Sequence, residues 1–310
     1  MNPLVSIIIP TYNRGHLIGQ TLESIRSQTY TKWECIIVDD GSIDNTEEII
    51  SEYIGIDNRI FYYARPVNKP KGANACRNYG FELSKGDFIN WFDSDDLMKT
   101  NFIQCKLGNF SQFYDCVITK SEFIDENANF IRTEKRTNLS SDLLEDFIVL
   151  KTSWYLPDPM YRREFLIGKY LFDENLQKGQ DRDFHIRWLL TKPKIKFLNC
   201  FVTQYRQTIK STSNDLSIET IYTLYKNENN RIKKLLNHGI SKNTKIFLLK
   251  TQLKRYPYLW KNKKVVFKNY HLFFEIGELN LEVLKWFMRY SAAVISYNLI
   301  GKGYVFLKGN

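Results

Sequence analysis

The sequence predicts an α/β fold, a mostly parallel sheet flanked by helices, followed by a basic and mainly helical C-terminal region. Three observations carry this. Apolar runs of strand length begin near residues 4, 33, 60 and 88, about 28 residues apart, which is the length of a strand–helix–strand unit. The stretches between them carry apolar residues at helical spacing, and strands alternating with helices imply parallel pairing through right-handed crossovers. Polar clusters at 10–14, 39–42 and 93–96 each follow a strand and therefore share one edge of the sheet. Open α/β sheets bind ligands along that edge.

The elements follow in order. Leu4 to Ile9 is apolar and β-branched, a buried-strand pattern, and Pro10 is expected to end it. Residues 11–15 are a loop. Residues 16–28 have apolar side chains at 17, 18, 22 and 25, a helical spacing. Trp33 to Val38 is a second strand, closed by Asp39-Asp40-Gly41-Ser42, and a helix over 45–54 follows. Ile60 to Ala64 is the third strand. A loop with Pro66, Pro70 and Gly72 leads into a helix over 73–83, and 88–92 is the fourth strand. Past residue 100 the order loosens. We expect a helix over 101–114, a strand over 116–119, a polar hairpin-like excursion over 121–142 and helix over 143–151. A Pro-bracketed loop at 154–159, a short strand-to-helix piece at 160–166 and a loop at 168–180 come next. Residues 181–190 predict a helix with Phe184, Ile186, Trp188 and Leu189 inward, and 196–206 a last strand. The expected domains are 1–213 and 214–310.

A hydrophobic fraction of 43% with 15% aromatics supplies a sizeable core and excludes general disorder. Five scattered cysteines without a Cys-x-x-Cys pair argue against a disulfide framework or structural zinc and for a reducing compartment. The first residues show no basic leader followed by an apolar core, so no secretory leader is expected. The net charge of +10 is uneven: 17 of the 44 Lys and Arg but only 6 of the 34 Asp and Glu fall in 211–310. That asymmetry suggests an anionic partner for the last third, a membrane surface or nucleic acid. No nucleic-acid recognition motif accompanies it. Residues 226–236 read as an amphipathic helix, and basic clusters lie at 250–255 and 261–264. The longest uncharged piece, 290–301, has 12 residues, short of the ~17–25 a spanning helix needs. The expectation is therefore no transmembrane segment but a peripheral stay on an anionic leaflet. The alternative is a solvated helical appendage.

The chemistry centres on Phe88-Ile-Asn-Trp-Phe-Asp93-Ser94-Asp95-Asp96. An apolar run releases three carboxylates within four residues, and a folded interior accepts such charges only with partners. A divalent cation held by one or two carboxylates plus substrate phosphates suits the place. The bland reading is a polar turn or an acidic helix start. A dinucleotide oxidoreductase would need Gly-x-Gly-x-x-Gly after the first strand, where this chain has Pro-Thr-Tyr-Asn-Arg. The Gly-rich phosphate loop of sugar-nucleotide-forming nucleotidyltransferases is also missing.

Ile7-Ile-Ile-Pro-Thr-Tyr-Asn-Arg14, Val38-Asp-Asp-Gly-Ser-x-Asp-x-Thr46, Gly72-Ala-Asn-Ala-Cys-Arg-Asn-Tyr-Gly80 and Phe92-Asp-Ser-Asp-Asp96 together resemble the family 2 glycosyltransferases of GT-A fold. The resemblance implies inverting transfer of a sugar from a nucleotide-diphosphate donor, a UDP-sugar by preference, with Mn²⁺ or Mg²⁺. The acceptor would be a hydroxyl of a glycan or polyprenyl-linked glycan, as in bacterial surface polysaccharide synthesis. The enzyme would be cytoplasmic or peripheral on the inner face of the plasma membrane. Pro10, Thr11 and Tyr12 with Asp40 would frame base and ribose. A carboxylate at Asp40 can accept the N3–H of uracil, which cytosine lacks, while Asp39 is the structural partner. Arg14 and Arg77 are phosphate or base-edge contacts, with the alternative for Arg77 that it pairs with the acidic edge. Asp93 and Ser94 fall to the donor, Asp95 to the metal and Asp96 to the acceptor side.

Gly179-Gln-Asp-Arg-Asp-Phe184 resembles the family's Gly-Glu-Asp-Trp-Asp-Phe, whose Asp after Glu is the base. That position is Asp181. Gln180 departs from the pattern, removes a neighbouring negative charge and should leave Asp181 less elevated. It is also the one hint of a non-catalytic, nucleotide-sugar-binding relative acting as a partner module. Asp183 is the runner-up base, on the acceptor side, but its preferred reading is a charge at a helix N-terminus. His185 reads as structural. In the segment 204–213, Gln207 stands where the family often has His, which removes a third protein ligand for the metal.

Overall fold

The computed structural model describes residues 2–135, 141–207, 217–261 and 281–300. The expectations placed on 211–213, on Lys263 and Lys264, and on the tail past Ile300 lie outside the described residues. The chain forms two compact units, 1–138 with 153–211, and 139–152 with 212–310. A single cut near 213 therefore misses one excursion: residues 139–152 leave the first unit and join the second.

The first unit opens with β1 (Val5–Thr11), α1 (Gly15–Arg26), β2 (Trp33–Asp39), α2 (Thr46–Ile56), β3 (Ile60–Ala64), α3 (Ala73–Leu83) and β4 (Phe88–Trp91). These strands pair in parallel in the order β3-β2-β1-β4. Every residue of β1, β2 and β4 is buried, so none shows the alternation of a half-solvated sheet. Pro10 does not end β1. It pairs with Val38, and the strand continues to Thr11. The Ile8 carbonyl accepts from Phe92 N, so Ile8 and Pro10 face the β4 side, and β4 is already over at that level. The missing N–H of Pro10 thus falls where the β1–β4 ladder ends, one step past the Ile8–Trp91 pair. Gly80 lets α3 lie close on β1, since a Cβ there would stand 2.4 Å from Ile8 Cγ2.

After β4 the sheet becomes mixed. The chain forms β5 (Leu97–Met98), α4 (Phe102–Leu107), β6 (Cys116–Ile124) and β7 (Phe130–Thr133). After α5 (Leu143–Ile148) come β8 (Pro159–Arg162), α6 (Arg163–Leu166), α7 (Gln180–Leu190) and β9 (Ile195–Arg206). The order continues β8-β6-β9-β5, with β8 antiparallel to β4 and β6, β9 parallel to β6, and β7 hairpin-paired to β6. The helix expected over 101–114 stops at Leu107. There Gly108 closes the turn, and Phe110 leaves the helix to pack on Phe88, ring centroids 4.5 Å apart.

The second unit holds α5, α8 (Ile218–Leu236), α9 (Lys242–Lys261) and α10 (Leu281–Ile300). α8 buries Tyr225, Ile232 and Leu235 and ion-pairs Glu228 with Arg231 one turn apart. It packs against α9, and α9 packs against α10. Asp142 caps α5 by accepting from Glu145 N at 3.0 Å, while the Glu145 carboxylate takes Ser241 Oγ at 2.8 Å and Thr244 Oγ1 at the start of α9. Among the described residues, no helix is long and apolar enough to cross a membrane.

Candidate active site

The C-terminal ends of β1 and β2 are stitched together. Asp40 N donates to Thr11 O at 2.9 Å, Asn13 N to Ser42 Oγ at 2.8 Å and Ile43 N to Asn13 Oδ1 at 2.9 Å. Asn13 takes φ 49°, a conformation Asn tolerates better than most residues. Asp39 is buried: its Oδ1 accepts from Gly41 N (2.8 Å) and Ser42 N (2.7 Å), and Tyr62 donates to Oδ2 at 3.2 Å. Asp39 thus shapes the loop, and Asp40 is left beside it. Asp40 is not free, however. Arg65, at the end of β3, ion-pairs with it and also donates to Pro66 O at 3.0 Å. Pro10 and Thr11 are buried, whereas Tyr12 stands 48% exposed.

The segment 93–96 is held from two sides. From α1, Thr21 Oγ1 reaches Ser94 O (3.1 Å) and Asp96 O (2.9 Å). One and two turns on, Ser24 Oγ accepts from Met98 N at 3.1 Å and Gln28 Nε2 donates to Lys99 O at 2.7 Å. From the end of β9, Arg206 donates to Asp95 O at 2.8 Å, to Gln20 Oε1 at 2.8 Å and to Glu126 O at 2.6 Å. Its backbone N donates to Asp96 Oδ1 at 2.8 Å. Ser94 is buried in this clamp.

The carboxylates of the segment part ways. Asp93 takes Arg77 of α3 at 2.9 Å, and Arg77 also lies 5.5 Å from the Phe172 ring. Asp95 meets Arg14 at 3.5 Å. Burial and then Asp93 push the Asp95 carboxyl up, with Arg14 opposing. Asp96 corrects an expectation. It is 1% exposed, its Oδ2 has no hydrogen-bond partner among the described residues, and burial with its acidic neighbours drives it well above the ordinary carboxylate range. A carboxyl sealed under Arg206 cannot face an acceptor; it anchors the end of β9.

The loop that delivers Asp181 is fastened by α3. Asn74 Nδ2 donates to Asp173 O at 2.7 Å, Asn78 Nδ2 to Phe172 O at 2.9 Å, and Phe172 N returns a bond to Asn78 Oδ1 at 3.1 Å. Asn74, Arg77 and Asn78 share one helix face at i, i+3 and i+4. Gly179 turns the chain at φ 71°, and Gln180 Nε2 bonds back to Leu176 O at 3.0 Å. Beneath α7, Trp91 packs edge-on against Phe172, Phe184 and Tyr161, with centroids 5.0, 5.2 and 5.4 Å away. Asp181, in the first turn of α7, is pushed up to about 6, first by burial; Arg77 pulls it down and Asp93 adds to the rise. The same two charges that pair with each other therefore act on Asp181, which brings α7 to the acidic strand end. The Tyr205 phenol is likewise raised, by burial first and then by Asp96, Asp93, Asp181 and Asp95. Its ring lies 4.6 Å from that of Tyr155.

Asp183 and His185 stay outside. Asp183 ion-pairs with Arg187 at 2.7 Å, and Arg187 donates to the carbonyls of Tyr170 and Leu171, so Asp183 staples the first turn of its helix, in keeping with the helix-terminus reading. His185 is fully buried, its Nδ1 3.4 Å from Tyr161 Oη and its ring 5.5 Å from Trp154, and burial lowers it to about 3. Sequence reasoning missed Arg65, Arg206, Tyr205, the Asn74–Asn78 pair and the Thr21–Ser24–Gln28 stripe. Polar residues at helical spacing read as a solvated face until the partner segment is known.

The four parallel strands end in one stitched polar edge, the place where an open α/β sheet binds its ligand. The sequence profile of glycosyl transferase family 2 matches residues 6–187, and the chain belongs to that family. It is 30% identical over 266 residues to a glycosyltransferase of Methanocaldococcus jannaschii, covering 84% of this chain and 81% of that one. To the glycosyltransferase GlyG of Streptococcus pneumoniae it is 29% identical, covering 70% and 76%. Two solved structures share the fold. TarS residues 1–349 of S. aureus in complex with UDP-GlcNAc superposes with TM-score 0.61 at 20% identity over 94% of this chain and 80% of that one. The mannosyltransferase PcManGT of Pyrobaculum calidifontis, in complex with GDP-Man and Mn²⁺, gives 0.53 at 14% identity over 99% and 85%. The chain is a glycosyltransferase with a GT-A fold.

Proposed function

We propose that this glycosyltransferase moves a sugar from a uridine diphosphate donor to a hydroxyl of a glycan or lipid-linked glycan, with inversion at the anomeric carbon. The observation that carries the reading is that one helix, α3, holds both the loop leading to Asp181, through Asn74 and Asn78, and the acid at the strand end, through the 2.9 Å Arg77–Asp93 pair. Asp181 is the base. A carboxyl near 6 can take the acceptor proton close to neutral pH. Attack from the face opposite the diphosphate inverts the centre, as in glycosidases that activate a water there. Arg77 and Arg14 would meet the diphosphate in place of their present carboxylates. Asp40 would accept from the uracil N3–H if Arg65 keeps its other oxygen open, and Thr11 brings a buried hydroxyl without a partner to the same edge.

The site fits a divalent cation, Mn²⁺ or Mg²⁺, at Asp95. Burial and Asp93 leave that carboxylate under-neutralised, with only a 3.5 Å contact to Arg14. Among the described residues no three His, Cys, Asp or Glu are placed so as to hold a metal ion together, so the diphosphate and water would complete the shell. Bound there, the cation would neutralise the charge that builds on the leaving diphosphate.

The test is a hydrolysis and transfer screen of UDP- and GDP-sugars with Mn²⁺, run on the parent and on Asp181→Asn. We expect turnover with a UDP-sugar, an acid limb near pH 6, and donor binding kept but kcat lowered by about 100-fold or more in the variant. Turnover with GDP-sugars alone refutes the uridine assignment. Near-parental kcat in Asp181→Asn refutes the base, and donor binding without turnover in the parent marks a non-catalytic relative.

A further inference from the structure

α10 has two unlike sides. Tyr290, Ala293 and Val294 are buried. Leu284, Met288, Ile295 and Leu299 are 39, 55, 58 and 78% exposed. At the angular step of an α-helix these four fall within about 60° of one another, on the side away from the buried three, and run about 22 Å along the axis. Lys285, exposed, borders the stripe, and Arg289, also exposed, lies one turn on from it and further round the same side. No acidic residue occurs from Val283 to Asn310, and 211–310 carries 17 basic against 6 acidic residues.

We propose that this stripe is a docking surface for an anionic lipid bilayer, with α10 lying in the interface plane. The chemistry matches on both counts. Long aliphatic side chains on one side of a helix partition into the headgroup–acyl boundary while flanking cations face anionic headgroups. No described helix can span, so the attachment is to one leaflet. A second copy of the chain is a poorer occupant. Pairing two stripes would set Lys285 and Arg289, and two strongly basic surfaces, against their own kind. The inference does not rest on the donor, the acceptor or the base.

The experiment floats the full-length chain with phosphatidylcholine vesicles containing or lacking phosphatidylglycerol. Sedimentation without vesicles runs in parallel. The parent should float with the anionic vesicles only. Met288→Asp with Ile295→Asp should abolish flotation, and both sites are exposed, so the fold should keep its thermal midpoint. Lys285→Gln with Arg289→Gln should weaken partitioning on the order of ten- to thirty-fold. A parent that stays at the bottom overturns the proposal. So does equal flotation of the Asp pair, or a concentration-dependent dimer abolished by the Asp pair without any vesicle binding.

Discussion

Arg77 stands between two carboxylates, one bonded at 2.9 Å and one acting through space, and the two differ in what they would do with it. Asp93 is neutralised by the pair. Asp181 keeps a raised carboxyl and hence a proton affinity suited to a base. Asp95 is different again: burial and its acidic neighbour push it up, so its charge costs stability in the folded chain. Replacing Asp95 with Ala should lower Mn²⁺-dependent kcat by about 100-fold or more while the thermal midpoint stays level or rises. Parental sugar transfer in Asp95→Ala, or a collapse of the midpoint, would show that the residue is structural. The nearest acids were legible as a cluster in the sequence. Their division of labour was not, because it depends on which arginine each one meets.

Two helices do for the site what strands alone cannot. Thr21 and Ser24 of α1, with Gln28 just past its end, hold the backbone from Ser94 to Lys99. α3 uses Asn74 and Asn78 to hold the loop before α7. Each bond satisfies a carbonyl or amide that would otherwise be buried without a partner. Thr21→Val keeps shape and removes the hydroxyl, leaving Ser94 O and Asp96 O unsatisfied. It should cost about 1–3 kcal/mol in urea unfolding and lower kcat more than it raises KM, because it loosens the carboxylates without touching the donor. An unchanged unfolding midpoint would show that the hydroxyl does not hold the segment. Helix boundaries here were readable from apolar spacing, whereas the polar grip of α1 was not.

At the scale of the molecule, buried ionisable groups tie stability to pH. His185 is lowered to about 3 in the fold, while an unfolded histidine titrates near 6.5. Below about 6.5 the unfolded chain binds a proton that the folded chain refuses, so this contribution is complete above that pH and is lost as pH falls towards 3. Between pH 7 and 5 the loss is about 2 kcal/mol. Asp181 acts with opposite sign, since a carboxyl raised to about 6 favours the fold at acid pH and that contribution disappears as pH rises through about 6. Urea unfolding of the parent and of His185→Phe at pH 7 and 5 isolates the histidine. The parent should lose about 2 kcal/mol more than the variant on acidification, and equal losses would refute the buried neutral ring.

By itself the sequence determined the four parallel strands, their intervals, the acidic edge and the family, since apolar periodicity and turn residues are local signals. It also held the charge imbalance that marks the last third. Only the tertiary structure decided that the sheet turns mixed after β4, that Pro10 lies within β1, that 139–152 joins the second unit, and that Asp96 and Asp183 are staples. Where partners lie 73 to 111 positions apart, as Thr21 and Ser94, Asn74 and Asp173, or Arg206 and Asp95 do, no local pattern encodes the meeting.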